Sequence, residues 1–328
     1  MKAVVLVGGQ GTRLRPLTLV TPKQLLPIAG RPMIELVVEH LAAHGIDEVV
    51  LALGYRPVAF IDAYPDGHCR GVALRYAVEP EPLDTAGAVS FAAREVGIDD
   101  TFVVVNGDVL TDLDVGALIG FHRASPGRAA IALTPVSDPS VYGVVPTRSD
   151  GQVIDFIEKP PRDEAPTNLI NAGTYVLDPT IIDLVPPGRR VSIEREVFPA
   201  LAAAGELYAM ASDADWIDAG VPSTYLAANL ARAAGRVGAG SAVDRLANVS
   251  DSVLGEAVIV AAHARVEGSL LLDGATVGEG AVVQGSIVGP GATIGAGATV
   301  KDLSVIGHHV SVANGQRVCG ERVPSTPQ

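Results

Sequence analysis

Cysteine is almost missing from this 328-residue chain: Cys69 and Cys319 are the only two, and no C-x-x-C pair occurs. That excludes a disulfide framework and a cysteine-rich zinc site, and it points to a reducing, cytoplasmic compartment. Long apolar runs are missing as well. The run Ala3–Val7 is far shorter than the roughly 20 residues of a membrane helix, and it meets Gly8 too soon for a secretory signal core. Tryptophan occurs once, and none of the 14 aromatic residues lies beyond Tyr225. Positive charge is in deficit, with 24 basic against 37 acidic residues and a net charge of -13, which excludes an extended nucleic-acid surface. Apolar residues, by contrast, make up 48% and charged residues 19% of the chain. A chain this long and this apolar is too hydrophobic for a disordered protein and suffices for about two domains, each with its own core.

The composition changes near residue 230. The 6 basic and 8 acidic residues from Arg236 onward leave most of the negative charge in the first part. The small, glycine-rich stretch 231–242 reads as a helix running out into a linker. The boundary is placed there, giving a first domain over 1–234, a second over 235–323 and a tail over 324–328. In the first domain Ala3–Val7, Val49–Leu53 and Phe102–Val105 are aliphatic runs without polar alternation, as expected of strands covered on both faces. Between the first two, Pro32–His44 carries Ile34, Val37, Val38 and Leu41 on one helical stripe. Strand, helix and strand at this spacing imply a doubly wound, mostly parallel α/β sheet of the Rossmann-like kind.

The second domain has a period of six. Leu254, Val260, Val266 and Leu272 are six apart, as are Val277 and Val283, and the series resumes at Val288, Ile294, Val300, Ile306, Val312 and Val318. Six fits neither an α-helix nor a hairpin. It fits a left-handed parallel β-helix of hexapeptide repeats, and twelve such positions make about four coils. A glycine-rich β-sandwich is the competing fold, but no aromatic residue is present to fill one. An open-ended solenoid must be capped or paired, so a homo-oligomer through the β-helix is expected.

Chemistry concentrates after the first strand. Gly8, Gly9 and Gly11 end it, followed by Thr12 and Arg13, and Lys23 stands ten residues beyond Arg13. The segment is neither a P-loop nor a dinucleotide fingerprint. Glycines at the carboxyl end of a parallel strand still let backbone amides approach an anion, and a guanidinium can grip two phosphate oxygens. A plain strand-to-helix turn with surface arginines is the other reading. Asn106-Gly107-Asp108 ends a further apolar strand, and Trp216-Ile217-Asp218 offers a second carboxylate. Each aspartate alone reads equally as a turn residue, but two carboxylates beside a polyphosphate suit Mg²⁺. Glu158-Lys159 and Asn171-Ala172-Gly173 read either as a surface ion pair and a tight turn or as groups that hold a polar ligand.

The ordered motifs G-G-x-G-T-R-L-x-P-x-T, P-K-Q-L-L-P, N-G-D, E-K-P, N-A-G and W-x-D-x-G span the chain together with the hexapeptide tail. In this set the chain resembles the sugar-1-phosphate nucleotidylyltransferases. Tyr142–Val145 and the Ser192–Pro199 segment are most similar to the branch that joins GTP to mannose 1-phosphate. The resemblance implies transfer from an NTP to a sugar 1-phosphate with release of pyrophosphate and with Mg²⁺ as cofactor. It implies that Leu6, Gly8, Gly9, Gly11, Thr12, Arg13, Lys23, Asp84, Thr85 and Gly87 line the nucleotide, and that Asp108 and Asp218 hold the metal. It further implies that Asn106, Gly143, Glu158, Lys159 and Asn171 bind the sugar phosphate, with Arg13, Lys23 and Lys159 as the catalytic cations. Glucose-1-phosphate thymidylyl- or adenylyltransfer is the alternative, because P-K-Q-L resembles the thymidylyltransferases. Asp84 stands where the family has glycine, in the loop that lies near the nucleobase, and its acceptor oxygens suit guanine; the other reading is that it turns outward and caps the helix starting near Thr85.

Two other classes compete. An acetyltransferase would need a basic histidine on the β-helix, with His263, His308 and His309 as candidates, although corner residues exposed to solvent are the plainer reading. A regulatory pseudo-enzyme would have no need of Arg13, Lys23, Asp108, Lys159 and Asp218 together. Removing the chain after Ala234 is expected to alter assembly and leave the phosphate site intact.

Overall fold

In a computed structural model, which describes residues 1–325, the chain forms two compact units: Met1–Gly9 with Ile34–Trp216, and Gln10–Met33 with the chain from Ile217 on. Among the described residues no helix is long and apolar enough to cross a membrane.

The first unit is built on a ten-stranded sheet. Its strands are β1 (Lys2–Leu6), β2 (Glu48–Leu53), β3 (His68–Cys69), β4 (Val72–Val78), β5 (Phe102–Asn106), β6 (Ala129–Pro135), β7 (Gly143–Val144), β8 (Ile157–Glu158), β9 (Leu169–Leu177) and β10 (Leu207–Ala211). Their order is β8-β7-β9-β5-β1-β2-β4-β3, with β6 pairing both β9 and β10. The three aliphatic runs foreseen as strands form β5-β1-β2, and Val72–Val78, which was not singled out, extends this parallel core as β4. Ala3, Val4, Val5, Val49–Leu53 and Phe102–Val104 in it are almost completely removed from water. Beyond it β9 enters antiparallel to β5, so the sheet as a whole is mixed.

Helix α1 (Met33–Ala43) buries Ile34, Val37, Val38 and Leu41, the stripe read from the sequence. The other helices are α2 (Pro57–Ala63), α3 (Asp84–Glu95), α4 (Val115–Ala124) and α5 (Phe198–Ala203), with α6 (Pro222–Ala233) in the second unit.

The second unit holds three five-stranded parallel sheets of two- and three-residue strands, the build of the left-handed hexapeptide β-helix. Register partners lie 17 residues apart in most pairings, as Asn248 with Arg265 and Val305 with Arg322, and 18 apart in those that span stretch 301–304, as Thr299 with Arg317. A 17-residue coil has two steps of six and one of five, so Leu271 rather than Leu272 joins the core row of Leu254, Val260, Val266 and Val277. At the short corner Ser252, Ser269 and Ser286 stack: the Ser269 amide donates to Ser252 Oγ and the Ser286 amide to Ser269 Oγ, each at 3.1 Å. Ala242–Val243 and Asn248–Ser250 add a coil ahead of the first one read from the sequence, five strands deep in all. Helix α6 packs on the strands Val253–Leu254 and Leu270–Leu271.

Segment 10–33 belongs to this unit. The Tyr225 hydroxyl donates to the Pro27 carbonyl at 2.8 Å, and the Asn229 side chain accepts from the Ala29 amide at 3.0 Å. The guanidinium of Arg236 lies directly over Gly30.

Candidate active site

Strands β1, β2 and β4 end side by side, with Leu6 opposite Ala52 and Leu53 opposite Val78. Just past their carboxyl ends stand Gly8, Gly54 and Glu79, at the edge where parallel sheets bind ligands. A Cβ on Gly8 would lie 3.2 Å from both the Gly54 nitrogen and Glu79 Oε1, so a larger residue would close this edge. Gly9 is exposed, with no neighbour within 4 Å of a Cβ placed there. Glu79 was not among the residues singled out from sequence. Its Oε2 accepts from the Leu83 amide at 2.9 Å, and burial, the largest influence on it, raises its carboxyl above the ordinary range. The available signal was a carboxylate directly after an apolar strand.

Leu83 leads into α3, and here the sequence-derived nucleotide residues turn inward. Asp84 has φ +62° and its Oδ1 accepts from the Thr85 amide. Its Oδ2 lies 2.8 Å from Arg195 and 3.6 Å from Arg190. The Thr85 hydroxyl donates to Glu194 at 2.7 Å and accepts from the Ile193 amide at 2.8 Å. The amides of Ala86 and Gly87 both donate to the Val191 carbonyl. The first-turn donors of α3, ordinarily open to an anion, are thus taken by Asp84 itself, for the Thr85 amide, and by the Val191 carbonyl, for those of Ala86 and Gly87. The segment that holds Val191 continues as a π-helical turn, Ile193–Val197.

The sugar-phosphate candidates form a connected group. The Gly107 amide donates to the Leu6 carbonyl at 3.0 Å, which pins the turn bearing Asp108 to the end of β1. Asn106 packs against Gly173, and β9 bulges against β6 between Asn171 and Tyr175. That bulge turns the Asn171 amide so that Nδ2 donates to the buried Tyr175 hydroxyl at 2.9 Å and Oδ1 accepts from the Gly173 amide. The Trp216 indole donates to the Ala172 carbonyl and meets Tyr142 edge-to-face at 5.4 Å. Gly143 stands opposite Glu158 in the β7–β8 ladder, and the Lys159 amide donates to the Tyr142 carbonyl. Lys159 itself is largely exposed, with its ammonium 3.3 Å from Glu158 Oε1.

In the second unit the strand-end glycines continue into three short 3₁₀ turns, Thr12–Leu14, Leu17–Leu19 and Lys23–Leu25. Gly11 adopts φ +61°, and a Cβ there would sit 2.9 Å from Thr18 Cγ2, so the turn requires glycine. The Thr18 hydroxyl donates back to the Gly11 carbonyl at 2.7 Å. Thr12 is exposed, and Arg13 is 60% exposed with Nη2 3.8 Å from Asp218 Oδ2. Lys23 is only 9% exposed. Asp218 also accepts from the Gly220 amide at 2.8 Å, which fixes its carboxylate. Arg13, Lys23 and Asp218 therefore share one unit, while Asp108, Lys159 and the other sugar-phosphate candidates share the other.

Asp108 and Asp218 are carboxylates, hard oxygen donors that suit a hard divalent cation. Among the described residues no three His, Cys, Asp or Glu side chains cluster into a metal cage. Each of the two aspartates offers a single carboxylate, which leaves most positions of such a cation to other oxygens. The β-helix histidines divide. His263 and His309 are exposed corner residues with φ +60° and +55°, as the plainer reading had it. His308 departs from that reading: it is half-buried and bonded to the Leu17 carbonyl.

Residues 2–235 match the family model described as Nucleotidyl transferase, and residues 235–327 match one described as GMPPB C-terminal domain. Mannose-1-phosphate guanylyltransferase of Mycobacterium tuberculosis is 43% identical over 226 residues, 68% of this chain and 62% of that protein. Mannose-1-phosphate guanyltransferase of Yarrowia lipolytica is 44% identical over 231 residues, 69% of this chain and 62% of that protein. The chain thus spans just under two thirds of the length of these relatives. Among solved structures, HddC from Yersinia pseudotuberculosis complexed with GMP-PN is similar with a TM-score of 0.60 and 30% identity, over 69% of this chain and 97% of that one.

Proposed function

Because this chain belongs to the nucleotidyl transferase family, we propose that it transfers a guanylyl group from GTP to mannose 1-phosphate, giving GDP-mannose and pyrophosphate. The observation that carries this reading is the set of polar groups at the carboxyl edge of β1, β4 and β5, with Lys159 and Asn171 at one end and Glu79 at the other. Relatives above 40% identity are named for the same reaction.

An oxygen of the sugar phosphate attacks the α-phosphorus of the nucleotide in line. The bond to the bridging oxygen breaks and pyrophosphate departs with its electrons. The attacking phosphate is already ionised, so no general base is required, and catalysis is positioning and charge neutralisation. In this reading Arg13 and Lys23 bind the nucleotide's phosphates, with Gly8, Gly9 and Gly11 leaving room for their approach. Lys159 binds the phosphate of the sugar phosphate, and Glu158 and Asn171 take sugar hydroxyls. Asp108 and Asp218 would hold Mg²⁺, which when bound supplies positive charge to the phosphate oxygens.

For the base, Glu79 is the better-placed carboxylate. The oxygens of Asp84 are occupied by Thr85, Arg190 and Arg195, whereas Glu79 flanks Gly8 at the strand ends. Glu79 Oε2 takes the Leu83 amide, but each carboxylate oxygen has two lone pairs, so Oε1 and the second lone pair of Oε2 match the N1–H and exocyclic amine of guanine. We place the enzyme in the cytoplasm, in keeping with a chain that carries only two cysteines, 250 residues apart in sequence and in no C-x-x-C pair. Self-association through the first β-helix coils is supported by the exposed Val237, Val243, Leu246 and Ile259. A matrix of four NTPs against mannose, glucose and other sugar 1-phosphates, read by pyrophosphate release, tests the reading. GTP with mannose 1-phosphate should lead it, and a flat or empty matrix would overturn it.

A further inference from the structure

The β-helix touches segment 10–33 at one of its last coils. Nε2 of His308 lies 3.1 Å from the Leu17 carbonyl oxygen. A carbonyl can only accept, so Nε2 carries the proton and donates. The same carbonyl accepts from the Val20 and Thr21 amides at 3.4 Å each, so the imidazole makes the shortest of its three bonds. Beside it a Cβ on Gly307 would lie 3.2 Å from Cβ and Cγ of Pro16, which is itself buried. Leu14 and Leu17 are fully buried.

This contact falls between the two cations assigned to the phosphates, four residues after Arg13 and six before Lys23. Arg13 lies in the first and Lys23 begins the third of three single 3₁₀ turns, whose hydrogen-bond geometry is poorer than that of an α-helix, so the stretch gains from outside support. We propose that His308 is a positioning residue for nucleotidyl transfer: by holding the Leu17 carbonyl it keeps Arg13 and Lys23 at the spacing the phosphates require. The β-helix is then part of the catalytic apparatus and not only a surface for assembly. His308 touches no substrate, and it acts through the backbone of the loop. The inference rests on the transferase reading for its kinetic consequence, but the bracing itself is independent of that reading.

The test compares full-length wild type with His308→Phe, which keeps a ring and loses the donor, His308→Gln, which keeps a donor, and Gly307→Ala, which presses a methyl on Pro16. Hydrogen exchange is followed in peptides covering 12–25 and in β-helix peptides covering 276–294, alongside kinetics with GTP and mannose 1-phosphate. His308→Phe should exchange about tenfold faster over 12–25 and as wild type over 276–294. Its kcat should fall about tenfold or more, since misplacement by an ångström is enough to cost that, with the KM for mannose 1-phosphate within about twofold of wild type. Gly307→Ala should behave likewise, and His308→Gln should stay near wild type. Wild-type exchange over 12–25 in both His308→Phe and Gly307→Ala overturns the proposal, as does a His308→Gln protein indistinguishable from His308→Phe. If His308→Phe does not fold, Gly307→Ala decides alone. Should the wild type transfer no guanylyl group, the functional reading fails, and the exchange arm still decides whether the coil braces the loop.

Discussion

The guanidinium of Arg195 lies 2.8 Å from the carboxylate of Asp84, across 111 residues of sequence. It ties the loop before α3 to the π-helical turn Ile193–Val197 at a position where the backbone is left-handed. Aspartate at φ +62° costs about 1 kcal/mol relative to glycine. Arg195 is 62% exposed, and a pair of that kind contributes about 0.2–1 kcal/mol. Those two effects nearly cancel.

Asp84→Gly is therefore expected to shift the melting temperature by less than about 3 °C, given roughly 2–4 °C per kcal/mol for a domain of this size. Because the Asp84 oxygens face arginines rather than open space, the ratio of kcat/KM for GTP over ATP should also stay within about twofold. A tenfold fall in that ratio would place Asp84 on the base after all.

Glu79 should behave differently. Removing one acceptor opposite two guanine donors leaves a donor unpaired, at about 1–3 kcal/mol. Glu79→Gln is expected to lower the GTP-over-ATP preference by roughly 10- to 100-fold. The same carboxylate gives a pH signature. Burial raises its pKa, so it protonates above the ordinary carboxylate range, and the ionised form that reads guanine is present only at higher pH. KM for GTP should rise as pH falls through that raised pKa, and KM for ATP should not. Parallel profiles for the two nucleotides would remove Glu79 from base recognition.

The two halves of the chain were unequally legible. A β-helix coil admits one aliphatic side chain per face, so Val260, Val266, Val277 and Val283 declare themselves by spacing alone. The slip at Leu272 came from a coil one residue short, a shortening absorbed by the stack of Ser252, Ser269 and Ser286, which looks like any polar corner. The first coil was missed because Val237 and Val243 stay exposed and leave no buried row to count. In the first unit the strand ends announced Gly8 and Asp108. The partners of Asp84 could not be foreseen, since Arg190 and Arg195 arrive only through the packing of segment 189–197 on α3. For the same reason nothing local indicated that residues 10–33 pack with α6 and the coils.

Lys159 is exposed and its neighbour Glu158 accompanies it at 3.3 Å. A charge-assisted bond from it to a phosphate is worth about 1.5–3 kcal/mol. Lys159→Ala should raise KM for mannose 1-phosphate by roughly 10- to 100-fold and change KM for GTP by less than threefold. Equal effects on both substrates would deny it a dedicated place at the acceptor.

Asp108→Asn and Asp218→Asn keep size and replace a charged oxygen donor with a neutral amide. Each should lower kcat by about 100-fold or more, as the loss of one electrostatic contact in a transition state does. The melting temperature should barely move, because both side chains are partly exposed at the ends of strands. Mg²⁺ titration of each variant should show a weakened apparent affinity. Unchanged Mg²⁺ dependence in either variant would take that aspartate out of the metal site.

Truncation after Ala234 bears on how the segment that carries Arg13 and Lys23 is held. Sequence alone led to the expectation that the phosphate site would survive this cut. The structure changes that expectation, because the cut removes Arg236 from over Gly30, Gly307 from beside Pro16 and His308 from the Leu17 carbonyl. From α6 the loop keeps the bond that the Tyr225 hydroxyl donates to the Pro27 carbonyl and the one that the Ala29 amide donates to Asn229, both C-terminal to Lys23, and Arg13 keeps its 3.8 Å contact with Asp218. The sheet of the first unit keeps its own core, so the truncated chain should still unfold cooperatively. Its loop should open, and trypsin should cut after Arg13 and Lys23 at least tenfold faster than in the full chain, while cleavage elsewhere in the first unit stays slow. Arg15 offers no site because Pro16 follows it. Transfer activity should fall in step with the cleavage rate. Full protection at Arg13 and Lys23 in a folded, soluble truncation would mean that α6 alone holds the segment and that the coils have no part in the site.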